Sequence, residues 1–248
     1  MTGTIIITGS GRGIGAATAL LAAQKGYTVC VNYTHQADRA NQVVEDIRQA
    51  GGQAIAVQAD VSDEGAIIAM FERATAELGP LVALVNNAAV TGKLGRLADL
   101  EAASLRRLLE INVAGTILCC REAVRRMSTA LGGSGGAIVN ISSRAAHYGA
   151  PGEYVHYAAS KAAIETFTFG LAGEVGNEGI RVNCVSPGII DTEIHTSSGD
   201  AGRVQRYASR VPLQRAGQSS EVAAAVLWLL SEEASYCSGT ILSVSGGR

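Results

Sequence analysis

Seven short apolar runs recur along the chain: TIIIT (4–8), TVCVN (28–32), AIAVQ (54–58), LVALVN (81–86), GAIVNIS (136–142), IRVNCVS (180–186) and TILSVS (240–245). Most are near-continuous and rich in Val and Ile, the pattern of a strand covered on both faces rather than on one. Longer stretches between them predict helices near 14–25, 37–50, 63–77, 101–130, 157–176 and 219–232. Strand followed by helix, repeated, requires parallel pairing through right-handed crossovers. The predicted fold is therefore α/β, a doubly wound, parallel, seven-stranded sheet with helices on both faces.

Residues 193–218, EIHTSSGDAGRVQRYASRVPLQRAGQ, break the alternation. A polar excursion at the carboxyl end of a strand is where a substrate lid sits, and 193–218 is expected to be one. The glycine-rich GGSGG at 132–136 only joins a helix to the fifth strand. No composition shift divides residues 1–248, so one domain is expected.

Of 248 residues, 47% are hydrophobic and 17% charged, which suits a well-packed globule. The net charge of −2 gives no basic field for nucleic acid or an anionic membrane. No apolar run reaches the roughly 18 residues of a membrane span, and no signal-peptide pattern opens the chain, so a cytoplasmic location is expected. The five cysteines form no C-x-x-C pair and read as buried hydrophobes. The four histidines lack ligand spacing, so no metal site is expected.

The candidate chemistry has two ends. TIIITGSGRGIG (4–15) sets glycines directly after the first strand and before the first helix. Such a loop lets backbone approach a pyrophosphate, and the helix N-terminus favours the anion. Gly9, Ser10, Gly11, Arg12, Gly13 and Ile14 are the expected phosphate contacts. At the end of the second strand a carboxylate would grip the 2′-hydroxyl of NAD. Asn32 and Tyr33 stand there instead, and Arg12 can face a 2′-phosphate by charge and fork geometry. NADP(H) is the expected cofactor, with NAD(H) the weaker fit.

At the other end, EYVHYAASK (153–161) places Tyr157 and Lys161 four apart, one above the other on a helix. A phenol with a pKa near 10 exchanges protons poorly at neutral pH, and a nearby ammonium favours its ionised form. Tyr154 lies seven residues from the lysine, about 10.5 Å along the axis, too far for the same service.

TGSGRGIG (8–15), DV (60–61), NNAA (86–89), INVAG (111–115), NISS (140–143), YAASK (157–161) and SPGIIDT (186–192) together resemble the short-chain dehydrogenase/reductase family, with motifs in the family's order over nearly the whole chain. The resemblance implies a Rossmann-like fold and an NADP(H)-dependent oxidoreductase. It implies Tyr157 as general acid/base and Lys161 as the group that tunes it and holds the nicotinamide ribose. Ser143 would bond the substrate oxygen, and Asn112, at a helix kink, would hold a relay water. It places Asp60 and Val61 at the adenine, Asn87, Ala88 and Ala89 beside the adenosine ribose, and Pro187, Gly188, Ile190 and Thr192 at the nicotinamide amide. Three departures stand out. Ala89 replaces a usual glycine, Ser143 precedes Tyr157 by fourteen residues rather than thirteen, and the ending SVSGGR varies. Ser142 stays in reserve for Ser143.

The expected reaction is hydride transfer between nicotinamide and a carbonyl or secondary alcohol of a small molecule. The alternative is an NADP(H)-binding, redox-sensing regulator without turnover. The family resemblance also implies a homotetramer or dimer. His156 reads as a wall or surface residue, and His147 and Tyr148 as possible pocket lining. Arg203, Arg206 and Arg210 give a weak pointer to a polar or acidic substrate.

Overall fold

The computed structural model describes residues 3–192 and 202–248. All seven expected strands are present: β1 (Thr4–Ile7), β2 (Thr28–Tyr33), β3 (Ala54–Gln58), β4 (Leu81–Asn86), β5 (Gly136–Ile141), β6 (Ile180–Pro187) and β7 (Ile241–Val244). They form one parallel sheet in the order β3-β2-β1-β4-β5-β6-β7. The order reverses between β1 and β4, and the carboxyl ends of those strands open the crevice where such sheets bind ligands.

From β1 to β6 the apolar runs are continuous because both faces of the sheet are covered, whereas β7 at the edge is partly exposed. Ile5 and Ile7 pack on one face with Val29, Val31 and the helices α1 (Gly13–Gln24), α2 (Ala37–Gln49) and α9 (Ser219–Leu230). Ile6, between them, points to the other face with Cys30, Phe71 and Met127. There α3 (Glu64–Leu78), α5 (Thr116–Met127) and α7 (Val155–Val175) cover the sheet. Alternate residues of one strand thus serve two cores. Helix starts are fixed locally. Asp63 accepts from the Ala66 amide at the head of α3, and Gln218 and Glu221 form a capping box at the head of α9.

The helix expected over 101–130 is not continuous. It runs as α4 (Ala102–Leu109), a π-helical turn over Glu110–Gly115, and α5. The turn lies against the loop after β3, and a Cβ at Gly115 would collide with the Val61 carbonyl oxygen. Two short helices carried too little periodicity to be seen in the sequence: α6 (Ala145–Tyr148) and α8 (Arg203–Ala208). Of the expected lid, 193–201 lies outside the described residues. Residues 202–218 carry α8 and return to the sheet, where Ile190 bridges Gly217. Among the described residues no helix is long and apolar enough to cross a membrane. Cys30, Cys119, Cys120 and Cys184 are buried, and burial pushes the thiols of Cys30, Cys120 and Cys184 up to about 12, so they are inert.

Candidate active site

The glycine loop follows β1 at the strand reversal. Gly9 holds φ +62°, in the left-handed region, and Gly15 lies so close to its neighbours that a Cβ there would stand 2.5 Å from Asn87 Nδ2 and 2.7 Å from the Gly9 carbonyl oxygen. Asn32 organises this loop from the neighbouring strand. Its Oδ1 accepts from the Gly9 amide at 3.0 Å, and its Nδ2 donates to the carbonyls of Ala59 at 3.0 Å and Val57 at 3.3 Å. Ser10 is fully buried. Its hydroxyl donates to the Ile7 carbonyl at 2.7 Å and accepts from the Asn32 amide at 3.1 Å. Ser10 therefore does not line the cleft, and Asn32, which does, spends its side chain on the loop.

That cleft measures about 490 Å³, in the range of small-molecule sites. Gly9, Gly11, Arg12, Gly13 and Ile14 line one side, Tyr33 and Thr34 the end of β2, and Asp60, Val61, Asn87, Ala88 and Ala89 the opposite side. Asn87 Nδ2 donates to the carbonyls of Thr8 and Gly9, each at 2.9 Å, which ties β4 to the loop. Ala89 has no positive φ, so it replaces the usual glycine without backbone strain. A loop drawn close by Gly9 and Gly15, at a helix N-terminus, fits a dinucleotide pyrophosphate.

Arg107 on α4 also lines this cleft and was not legible in the sequence. Its guanidinium bonds Asp60 and Ser62. Burial pushes the Asp60 carboxyl up, but hydrogen bonds from Ser62 and Arg107 outweigh it and hold the group below its usual value. Arginine in a helix has no motif of its own, and only the packing of α4 on the loop after β3 gives it this place.

A second cavity, about 100 Å³, continues from the first through Ile14, Asn87, Ala89 and Thr192. Tyr157, Lys161, Ser143, Pro187, Gly188 and Ile190 line it. Tyr157 sits in the first turn of α7 with its ring against Tyr154, centroids 5.3 Å apart and nearly perpendicular. Lys161, one turn on, is 4% exposed. Its ammonium donates to the Ile141 carbonyl at 2.7 Å and lies 5.7 Å from the Tyr157 ring centroid. Burial brings the lysine down to about 8.

The two serines divide. Ser142 is buried, donating to the Lys161 carbonyl at 3.2 Å and to Glu165 at 2.8 Å. Ser143 is half-buried at the cavity wall, its hydroxyl accepting from the Ala145 amide at 3.2 Å. The longer connection to Tyr157 runs through α6 and a left-handed Ala150, φ +47°. Asn112 lies in the π-turn with no exposed surface. Its side chain mimics a peptide toward Val90, accepting from that amide at 2.9 Å and donating to its carbonyl at 2.8 Å, and it reaches Ser160 at 3.1 Å. It lines neither cavity, and its main-chain carbonyl accepts from Thr116 Oγ1 at 3.0 Å.

The histidines differ from expectation. Tyr148 lines the cavity, whereas His147 turns away, its Nε2 at 3.2 Å from Glu165. His156 is buried beneath Gly92, and its Nε2 has no partner among the described residues. Among the described residues no group of three His, Cys, Asp or Glu side chains could hold a metal ion.

Known proteins carry the same framework. The family model described as enoyl-(acyl carrier protein) reductase matches residues 9–248. An uncharacterized oxidoreductase of Escherichia coli, YgfF, is 54% identical over 98% of both chains. The cis-4-hydroxycyclohexanecarboxylate dehydrogenase of Sinomonas cyclohexanicum is 39% identical over 98% of this chain and 94% of its own. A short-chain dehydrogenase of Burkholderia cenocepacia, solved in complex with NADP, superposes with a TM-score of 0.91 at 36% identity, covering 98% of this chain and 96% of that one. With the glycine loop, the Tyr157–Lys161 pair and these matches over almost its full length, the chain belongs to the short-chain dehydrogenase/reductase family of oxidoreductases.

Proposed function

We propose that this oxidoreductase uses NADP(H) to interconvert a carbonyl and a secondary alcohol on a small molecule. The observation that carries the reading is the Tyr157–Lys161 pair, both buried and facing one cavity that opens into the glycine-loop cleft. The cofactor supplies the hydride chemistry, and the protein supplies orientation and charge. Gly9, Gly11, Gly13 and Ile14 would hold the pyrophosphate, and Asp60, Val61, Asn87, Ala88 and Ala89 would enclose the adenosine. Pro187, Gly188, Ile190 and Thr192 would border the nicotinamide.

Ser143 orients the substrate oxygen. Tyr157 gives that oxygen a proton in reduction and takes it back in oxidation. Lys161 holds positive charge beside the phenol and would bond the ribose of the cofactor. The described arm 202–218 flanks this site as part of a substrate lid.

NADP(H) is favoured over NAD(H) because no carboxylate stands at the end of β2 and Arg12 lines the same cleft. The related structure that holds NADP supports the same choice. The intact Ser143, Tyr157 and Lys161 set disfavours a regulator without turnover, since sensing alone requires no proton donor. A homo-oligomer in the cytoplasm completes the reading. Its test is Tyr157→Phe. Turnover of a ketone panel with NADPH is expected to fall by about 10²–10⁴-fold, while NADPH binding by fluorescence persists. Undiminished turnover would remove Tyr157 from the proton step.

A further inference from the structure

Beside the Tyr148 wall of the cavity, arginine and tyrosine side chains alternate in a stack. The Arg210 guanidinium lies 5.1 Å from the Tyr207 ring centroid. Arg248 lies 4.8 Å from the same ring and 5.1 Å from the ring of Tyr148, which lines the substrate cavity with Ser143 and Tyr157. The Tyr207 hydroxyl donates to Glu153 at 2.6 Å.

The backbone under Arg248 is held in place. Its carbonyl oxygen accepts from Arg144 Nε at 2.9 Å and from Ser245 Oγ at 2.8 Å. Just before it, Gly188 donates to the Val244 carbonyl and Leu213 to the Gly246 carbonyl. Arg248 is thus built into the wall that also carries the Pro187–Gly188 segment.

A guanidinium has five donors. Among the described residues, none of those on Arg248 meets an acceptor, and Nη1 is buried without a partner. Neither Arg248 nor Arg210 pairs with a carboxylate among the described residues. Aromatic faces offset part of the desolvation of a cation, but they leave its N–H groups unmet. Two cations sharing one tyrosine also repel each other. Such a pair favours an anion beside it, and the one carboxylate bonded within the stack among the described residues, Glu153, meets the shared tyrosine rather than either guanidinium.

We propose that Arg248, assisted by Arg210, binds a carboxylate on the substrate, so that the protein acts on oxo- and hydroxycarboxylates. The proposal rests on the carbonyl/alcohol reading above. The planar fork of arginine matches a carboxylate through two parallel hydrogen bonds, and the Tyr148 ring holds that plane beside the cavity. The reacting carbon lies at Tyr157 and Ser143 while the carboxylate lies at the Tyr148 end. Chain length between the two groups then governs preference.

The test uses 4-oxopentanoate, 5-oxohexanoate and 6-oxoheptanoate, each against its primary amide, with NADPH. The wild-type protein is expected to favour at least one acid over its amide by about tenfold or more in kcat/KM. Arg248→Met should remove that ratio through KM, Arg248→Lys should retain part of it, and added salt should shrink it. A second measurement, calorimetry of benzoate against benzamide on the NADP-loaded protein, requires no turnover. Benzoate binding that is lost in Arg248→Met, without reduction of any ketone, would keep the anion site and sink the reductase reading alone. Equal treatment of acid and amide by the wild-type protein in both measurements overturns the proposal. So does an acid preference that survives Arg248→Met. Should Arg248→Met fail to fold, Arg248→Gln, which also removes the charge, takes its place under the same criteria.

Discussion

Lys161 places its ammonium 5.7 Å from the centroid of the Tyr157 ring while donating at 2.7 Å to the Ile141 carbonyl oxygen at the end of β5. Sheet and helix therefore hold the charge in position jointly. The Asn140 side chain reinforces this, donating to Thr168 on α7 at 2.9 Å while accepting from Asn86 at 2.9 Å.

Burial lowers Lys161 to about 8 from its usual 10.5. Between those values the unfolded chain binds more protons than the folded one, so stability rises with pH across that window. Below pH 8 the penalty is complete, on the order of 3 kcal/mol. Lys161→Met removes it. Urea melts should show the wild-type protein gaining on the variant as pH climbs from 8 to 10.5, and parallel stability curves would contradict the assignment. In reduction, kcat/KM should also decline above about pH 8, where the cofactor-free protein loses its ammonium.

The two adjacent serines should separate cleanly. Ser142→Ala leaves the Glu165 carboxylate short of a buried donor, which costs about 1–3 kcal/mol. Ser143→Ala loses only the longer, half-buried bond from the Ala145 amide, yet it removes the hydroxyl that faces the cavity. The expected pattern is a lower Tm for Ser142→Ala and, for Ser143→Ala, a kcat loss of about 10²-fold at nearly unchanged Tm. The reverse pattern would move the substrate contact to Ser142.

The proposed preference for NADP(H) turns on Arg12. A charge-assisted hydrogen bond to a 2′-phosphate contributes about 1.5–3 kcal/mol. Arg12→Ala should therefore weaken NADPH by about 10- to 100-fold and leave NADH nearly unaffected. Titration of each cofactor by fluorescence gives the ratio directly. Equal weakening of both would mean that Arg12 serves the shared pyrophosphate instead.

Strand positions were legible because a doubly covered parallel strand leaves a signature of Val and Ile that polar surface cannot imitate. The glycine loop and the Tyr157–Lys161 spacing were legible for a similar reason, since each is a local pattern in one segment. What escaped depends on contacts between segments. Arg107 reaches Asp60 only once α4 packs on the loop after β3. Ser10 faces inward only because the Asn32 amide of β2 is paired with its hydroxyl. The break in the long helix at Asn112 was expected only through the family resemblance, because the contact it accompanies, Gly115 against Val61, joins residues far apart in sequence.

Asn112 gives the last test, because its expected role and its observed contacts differ. The side chain satisfies both the amide and the carbonyl of Val90 in a fully buried place. Asn112→Ala would orphan both groups, at about 1–3 kcal/mol each. Partial hydration of the vacated space reduces the sum, so a loss of about 2–4 kcal/mol is expected. For a chain of this size that is a fall in Tm of roughly 4–16 °C. Ser160→Ala removes only the third contact of Asn112 and should cost about 1 kcal/mol. Since the loop after β4 borders both cavities, Asn112→Ala should weaken NADPH binding as well as lower kcat. A variant with wild-type Tm and cofactor affinity but depressed kcat would instead place the side chain in the proton relay itself. Thermal melts, NADPH titration and kcat measured on the same preparations distinguish the two.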